Sequence, residues 1–160
     1  MIPLSARLDE IARIAVATEV ATHLPARLMI AQWAVESAWG TKPVGHANYF
    51  GIKRAARHVM FYDAATQEFV NGCPVGMTCA FADYESLAES AADYAWLITK
   101  GSPYAKAWSR FLIDHDVDAL IAGVARVYAT SPAYSRLVSE IASQSNVLGA
   151  IEMVKNGPRL

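Results

Sequence analysis

One carboxylate, Glu36, stands near the end of an apolar run at helical spacing, AQWAVESAWG, Ala31 to Gly40. Trp33 lies three residues before it and Trp39 three after, offsets that put both indoles on the carboxylate's side of a helix. Gly40 predicts the stop of that helix, with Pro43 just beyond. Two pressures there favour the protonated acid. Apolar surroundings disfavour the charged form, and the C-terminal end of the helix dipole is already negative. A carboxyl that keeps its proton near neutral pH is what general-acid catalysis needs. A surface glutamate at a frayed helix end has the same spacing, so the pattern alone leaves both readings open.

Acid–base chemistry on a glycosidic bond calls for a second carboxylate. Glu68, within Thr66-Gln67-Glu68-Phe69, is the best candidate, because strand alternation puts Thr66 and Glu68 on one face. The plain alternative is an exposed strand glutamate. Glu85, Glu89 and Asp93 lie near one helix N-terminus, where acids are favoured anyway. Tyr128 and Tyr134 flank a junction between helices. Tyrosines there are core fillers with a hydroxyl partner, or, in a cleft, groups that stack on a sugar or donate to developing charge. His46 and His58 stand alone, and Asp114-His115-Asp116 reads as a turn with a helix cap. Cys73 and Cys79 lie across an expected turn and can pair in an oxidising compartment or remain reduced thiols. No zinc-ligand spacing, Ser-His-Asp or Cys-His pattern, or phosphate loop emerges, so no metal and no cofactor is expected.

The elements that must position these residues follow from periodicity and punctuation. Ser5 predicts a cap for a first helix, with Leu8, Ile11, Ala12, Ala15 and Val16 inside, ending near His23. Pro25 suits the first turn of a second helix reaching about Trp39. Strand-like residues follow: Asn48 to Lys53, Val59 to Tyr62, Thr66 to Val70 and Thr78 to Phe81, with turns at Asp63-Ala64-Ala65 and Asn71-Gly72. This predicts a small, irregular antiparallel lobe over about 48–81 that leans on the helices. Ser86 and Glu89 form a capping box for a helix stopped by Gly101. Ser102-Pro103, Asp116 and Ser131-Pro132 then open further helices, and a weaker tail follows Gly149. The expectation is one mostly helical α+β domain over residues 1–160.

Composition narrows the function. The 160 residues suit one core, and 54% are hydrophobic. A net charge of −1 leaves no basic excess for phosphates, which argues against nucleic acid as a partner. The most apolar stretch, Leu24 to Trp39, is broken by Arg27, Gln32 and Glu36, so it reads as a core helix and not a membrane span. No cationic, apolar leader is visible at Met1 to Glu10.

Five pieces in order resemble the glucosaminidase-type peptidoglycan hydrolases of glycoside hydrolase family 73, found in flagellar rod-cap proteins and autolysins. AQWAVESAWG is similar to the family's helix ending in E-S-x-W-G. NYFGIK, Asn48 to Lys53, resembles N-L-F-G-I-K with Tyr49 for Leu. TQEF resembles the T-x-E-aromatic piece, and YATSPAY, Tyr128 to Tyr134, the Y-A-T-D-P-x-Y piece with Ser131 for Asp. Phe81 to Ile98 is similar to the helix after the β lobe. The resemblance implies a lysozyme-like α+β fold with a cleft between helical body and β lobe. It implies cleavage of the β-1,4 bond after N-acetylglucosamine in peptidoglycan, in the periplasm or cell wall, by an exported or phage-delivered enzyme acting as a monomer. By motif position Glu36 would be the general acid, Glu68 the second carboxylate and Tyr128 a group that positions the reacting sugar. Trp39, Asn48, Phe50 and Tyr134 would bind substrate or shape the cleft. The competing readings are a lytic transglycosylase or muramidase on the same polymer, and a non-catalytic wall-binding module.

Overall fold

The structure, a computed structural model, describes residues 2–129, 131 and 133–157, with Phe69 by its backbone only. Two helices come first, α1 (Leu4–Thr22) and α2 (Ala26–Glu36). A long irregular segment then leads into strands β1 (Phe61–Val70) and β2 (Cys73–Ala82). Five helices follow: α3 (Leu87–Lys100), α4 (Ala105–Asp114), α5 (Val117–Tyr128), α6 (Tyr134–Ala142) and α7 (Ser145–Asn156), with a 3-10 turn at Ser102–Tyr104 before α4.

Helix α2 is the axis of the body. Between Ala26 and Ala34 every residue except Arg27 is buried. A helix apolar on all sides must be surrounded, and α1, α6 and α7 pack against it. The capping signals of the later helices are used as the sequence predicts. Ser86 accepts from the Glu89 N–H at 3.2 Å, and Asp116 from the Ala119 N–H at 2.9 Å. Glu89 reaches back one residue further than a capping box requires, to the Glu85 N–H. Ser5 lies inside α1, whose N-cap is Pro3. The stretch after Gly149 is no weak tail: α7 runs straight through it, burying Val147 and Ala150. Ser131 is half-buried, whereas Thr130, Pro132 and Pro158 lie outside the described residues.

The β lobe departs most from expectation. It is one hairpin paired without a break from Phe61↔Ala82 to Val70↔Cys73. Asp63-Ala64-Ala65 is no turn, because each residue has a ladder partner in Ala80, Cys79 and Thr78, and that pairing overrides a weak local preference. Asn71-Gly72 is the turn, with φ of 50° and 78°, the positive pair that a two-residue type I′ hairpin needs. Asn48 to Lys53 is a loop, not a strand, whose backbone pairs with β2 at the Lys53↔Phe81 bridge.

Ten-residue strands with no third partner are marginal alone, and most of this hairpin is exposed. Among its described side chains only those at the root, Phe81 and Ala82, are buried. The root is stitched to the loop before it: Ala82 N–H donates to Ile52 O and Arg54 N–H to Ala80 O, both at 2.9 Å. A second clamp holds the approach to β1. Asp93 of α3 accepts from Arg57, His58 and the Tyr84 hydroxyl. Burial alone would raise that carboxyl, but these three donors outweigh it and hold it below its ordinary range.

Candidate active site

The end of α2 is sharp. Ser37 is fully buried; its hydroxyl donates to Trp33 O at 2.6 Å and accepts from the Gly40 N–H at 2.9 Å. Ala38, Trp39 and Gly40 then take φ of 48°, 58° and 76° in succession. The helix therefore ends at Glu36, not at Trp39, and helical offsets no longer apply beyond it. Trp39 packs edge-on against Trp33, with centroids 6.2 Å apart, and its carbonyl holds the Arg7 side chain at 2.8 Å. It is not among the residues lining the cleft where Glu36 lies.

That cleft encloses about 290 Å³. Its helical wall is Val35, Glu36, Tyr128, Ala129, Ser131 and Tyr134. Gly51 and Lys53 line it from the loop, and Thr66, Gln67, Glu68 and Phe81 from the hairpin. Glu36 and Glu68 thus share one cleft, brought together from elements far apart in the chain. The Glu68 side chain is 18% exposed and pairs with Lys53, which reaches across from the loop.

Burial pushes the Glu36 carboxyl up to about 7, against a hydrogen bond from Tyr134 that pulls it down. The Tyr134 hydroxyl donates to Glu36 Oε1. Gly51 faces the other oxygen. Its φ is 63°, and a Cβ built there would lie 2.7 Å from Glu36 Oε2, so a side chain is excluded both by backbone conformation and by the acid. Tyr128 stacks parallel to Tyr134, with centroids 6.3 Å apart and planes 4° apart. Its hydroxyl donates to Phe50 O at 2.5 Å, so it holds the loop against the helical wall.

Asn48 and Phe50 support this loop from behind, and neither is a cleft-lining residue. Asn48 is fully buried and its amide is saturated. Nδ2 donates to Ile52 O and Ala82 O, while Oδ1 accepts from the N–H groups of Phe50 and Ile52. Phe50 is fully buried and stacks on Tyr94 with centroids 4.4 Å apart. Both residues shape the cleft floor by fixing Gly51 beneath the acid, and a substrate contact is not available to either. Gln32, Gly51 and Lys53 escaped sequence reasoning. Gln32 carried a usable signal: a lone amide in an apolar helix, one turn before the acid, needs buried partners.

The two cysteines cannot form the bridge that the sequence left open. Both lie on β2, six positions apart, so about 20 Å of extended strand separates them. The turn lies before Cys73 and not between them. Among the described residues, no group of three His, Cys, Asp or Glu side chains is placed to hold a metal ion. No helix described is long and apolar enough to cross a membrane.

A half-buried acid and a second carboxylate lining one cleft, between a helical body and a β hairpin, fit the arrangement of a glycosidase site. The chain belongs to the glucosaminidase family: residues 12–147 match its model, described as mannosyl-glycoprotein endo-beta-N-acetylglucosaminidase. A probable N-acetylmuramidase of Lactococcus lactis subsp. cremoris is 34% identical over 150 residues, covering 88% of this chain and 33% of that protein. The peptidoglycan hydrolase FlgJ of Salmonella typhimurium is 30% identical over 147 residues, covering 85% of this chain and 45% of that protein. The chain thus spans under half the length of these curated relatives. The catalytic domain of the autolysin Auto from Listeria monocytogenes superposes with a TM-score of 0.74 at 26% identity, covering 94% of this chain and 89% of that one. A peptidoglycan hydrolase from Sphingomonas sp. A1, at 24% identity and a TM-score of 0.78 over 92% of this chain and 98% of that one, shares the fold. The lysozyme-like α+β architecture is therefore that of the solved peptidoglycan hydrolases.

Proposed function

We propose that this chain is a peptidoglycan hydrolase that cleaves the β-1,4 bond after N-acetylglucosamine, with Glu36 as general acid and Glu68 as second carboxylate. One observation carries the reading: a carboxyl raised to about 7 lines the same cleft as an ion-paired glutamate from the opposite wall. The two environments push the acids toward different protonation states, which is how an acid and its charged partner are told apart. Glu36 gives its proton to the leaving glycosidic oxygen. Glu68 activates water or stabilises the cationic sugar. Tyr134 steadies the acid, and Tyr128 keeps Gly51 beneath it. Family membership and the names of the FlgJ relatives support a cell-wall polymer as substrate, and hence action in the periplasm or wall. The proposal takes the chain to act as a monomer.

The Lactococcus relatives favour a second reading, cleavage after N-acetylmuramic acid. Digesting purified peptidoglycan and weighing the fragments separates the two. Reducing N-acetylglucosamine ends are expected. Reducing N-acetylmuramic acid ends would select the muramidase reading, and anhydro-muramic ends would replace hydrolysis by transglycosylation.

A further inference from the structure

Behind Glu36 lie two polar side chains, Gln32 and Tyr94, with no surface open to a substrate. Gln32 sits one helical turn earlier on α2 and is fully buried. Its Oε1 accepts from the Tyr94 hydroxyl of α3, and its Nε2 donates to the Tyr134 hydroxyl of α6 at 2.9 Å. Tyr94 is itself fully buried, clamped in its stack on Phe50. An apolar core tolerates such groups only when each is satisfied, and here each satisfies the next.

The direction of these bonds has chemical content. A tyrosine hydroxyl has one proton, an amide oxygen only accepts, and an amide nitrogen only donates. Tyr94 donates to Gln32 Oε1, which turns the NH2 toward Tyr134. The Tyr134 oxygen accepts that bond, so its one proton points at Glu36 Oε1. Oε1 is thereby the acceptor, a role that the carbonyl oxygen of a neutral carboxyl fills better than its hydroxyl oxygen, so the acid proton is favoured on Oε2. Oε2 has no hydrogen-bond partner among the described residues and lies beside Gly51 on the cleft wall.

We infer that Gln32 and Tyr94 are positioning residues for the acid: a one-way relay from Tyr94 through Gln32 to Tyr134 that confines the transferable proton of Glu36 to Oε2. The inference rests on Glu36 being the general acid. Reversing the Gln32 amide would reverse the relay, make Glu36 donate to Tyr134, and leave its proton on the wrong oxygen. The other titratable groups facing Glu36 are Tyr94, Tyr104, Tyr128 and Tyr134, with Lys53 and Glu68 paired across the cleft. Burial pushes all four tyrosine hydroxyls up, Tyr104 to about 12, so they stay protonated wherever the acid titrates.

The test is carboxyl-carbon NMR titration of Glu36 in the whole chain, read beside turnover of peptidoglycan against pH. Tyr134→Phe removes the donor to the charged form and is expected to move the midpoint upward from about 7 by about one to two pH units. Tyr94→Phe and Gln32→Met free the relay to reverse. They are expected to move the midpoint in the same direction by less, and to lower plateau turnover about three- to tenfold as part of the population holds its proton on Oε1. Midpoints unchanged in Tyr94→Phe, or moved downward, overturn the relay. Tyr94→Phe keeps the ring and its stack, so it decides the matter alone if Gln32→Met does not fold. Failure of the general-acid reading is seen separately, as undiminished turnover in Glu36→Gln.

Discussion

Glu36 stands at the end of a helix that the rest of the body surrounds, whereas Glu68 stands on a hairpin covered only at its root. The first acid is held by a buried network of tyrosines and an amide. The second pairs, among the described residues, with a lysine whose side chain is 55% exposed. The contrast suits the two tasks. An acid that must keep its proton needs dry, rigid surroundings, while a carboxylate that must stay charged needs a counter-ion and access to water.

The largest effect should come from removing the proton. Glu36→Gln is expected to lower turnover by about 100- to 10,000-fold. The same change should stabilise the fold at high pH. A raised carboxyl binds its proton more tightly folded than unfolded, so wild-type stability falls as pH rises from about 4.5 through about 7. Melting curves should therefore coincide near pH 4 and separate by up to about 3 kcal/mol in favour of Gln near pH 8. Wild-type kcat/KM should decline above about pH 7 for the same reason. Curves that separate near pH 8 in favour of wild type instead would mean that Glu36 is charged in the native protein.

Gly51→Ala attacks the dry wall while leaving the acid's own chemistry in place. The added Cβ meets Oε2 in a left-handed backbone. Turnover is expected to drop about tenfold to a hundredfold by misplacement, with about 1–2 kcal/mol of strain. Comparing kcat with the melting temperature checks it: a stability loss without a kcat loss would move Gly51 out of the site.

On the hairpin wall, Glu68→Gln should lower turnover by roughly tenfold, less than Glu36→Gln does. Stability should hardly move, since exposed ion pairs contribute about 0–1 kcal/mol. Glu68→Gln losing as much activity as Glu36→Gln would erase the contrast between the walls. The smallest effect is expected from Tyr128→Phe. Losing its bond to Phe50 O should cost about 1 kcal/mol in chemical denaturation and only a few-fold in turnover. A turnover loss with unchanged stability would return that hydroxyl to the substrate.

The helical wall was largely legible in the sequence, because buried helices announce themselves through periodicity and through caps such as Ser86 and Asp116. The shared cleft was legible from single positions, Glu36 at a helix end and Glu68 on a strand face, and both line it. It was illegible where geometry depends on neighbours. Counting Trp39 onto the face of Glu36 assumed a helix that runs to Gly40, but the left-handed run at Ala38 turns the chain away. Asn48 looked like a polar group offered to substrate, and only the fold reveals four backbone groups already using its amide. The hairpin was hidden by Asp63, whose turn preference lost to cross-strand pairing.

The unbroken ladder of the hairpin has a mechanical consequence. Glu68 lies seven residues along β1 from Phe61, a lever arm of about 23 Å at roughly 3.3 Å per residue. Over that arm a tilt of about 5° at the root moves the carboxylate by about 2 Å. The spacings that separate direct attack by a carboxylate from attack by an intervening water, about 5–5.5 Å against about 6.5–9.5 Å, have edges about 1 Å apart, within such a tilt. With Glu36 and Glu68 in their proposed roles, the stereochemical outcome at the sugar would be set by an angle, fixed by a few backbone bonds at Ile52, Ala80 and Ala82. Residues that never approach the glycan would thereby act as its goniometer.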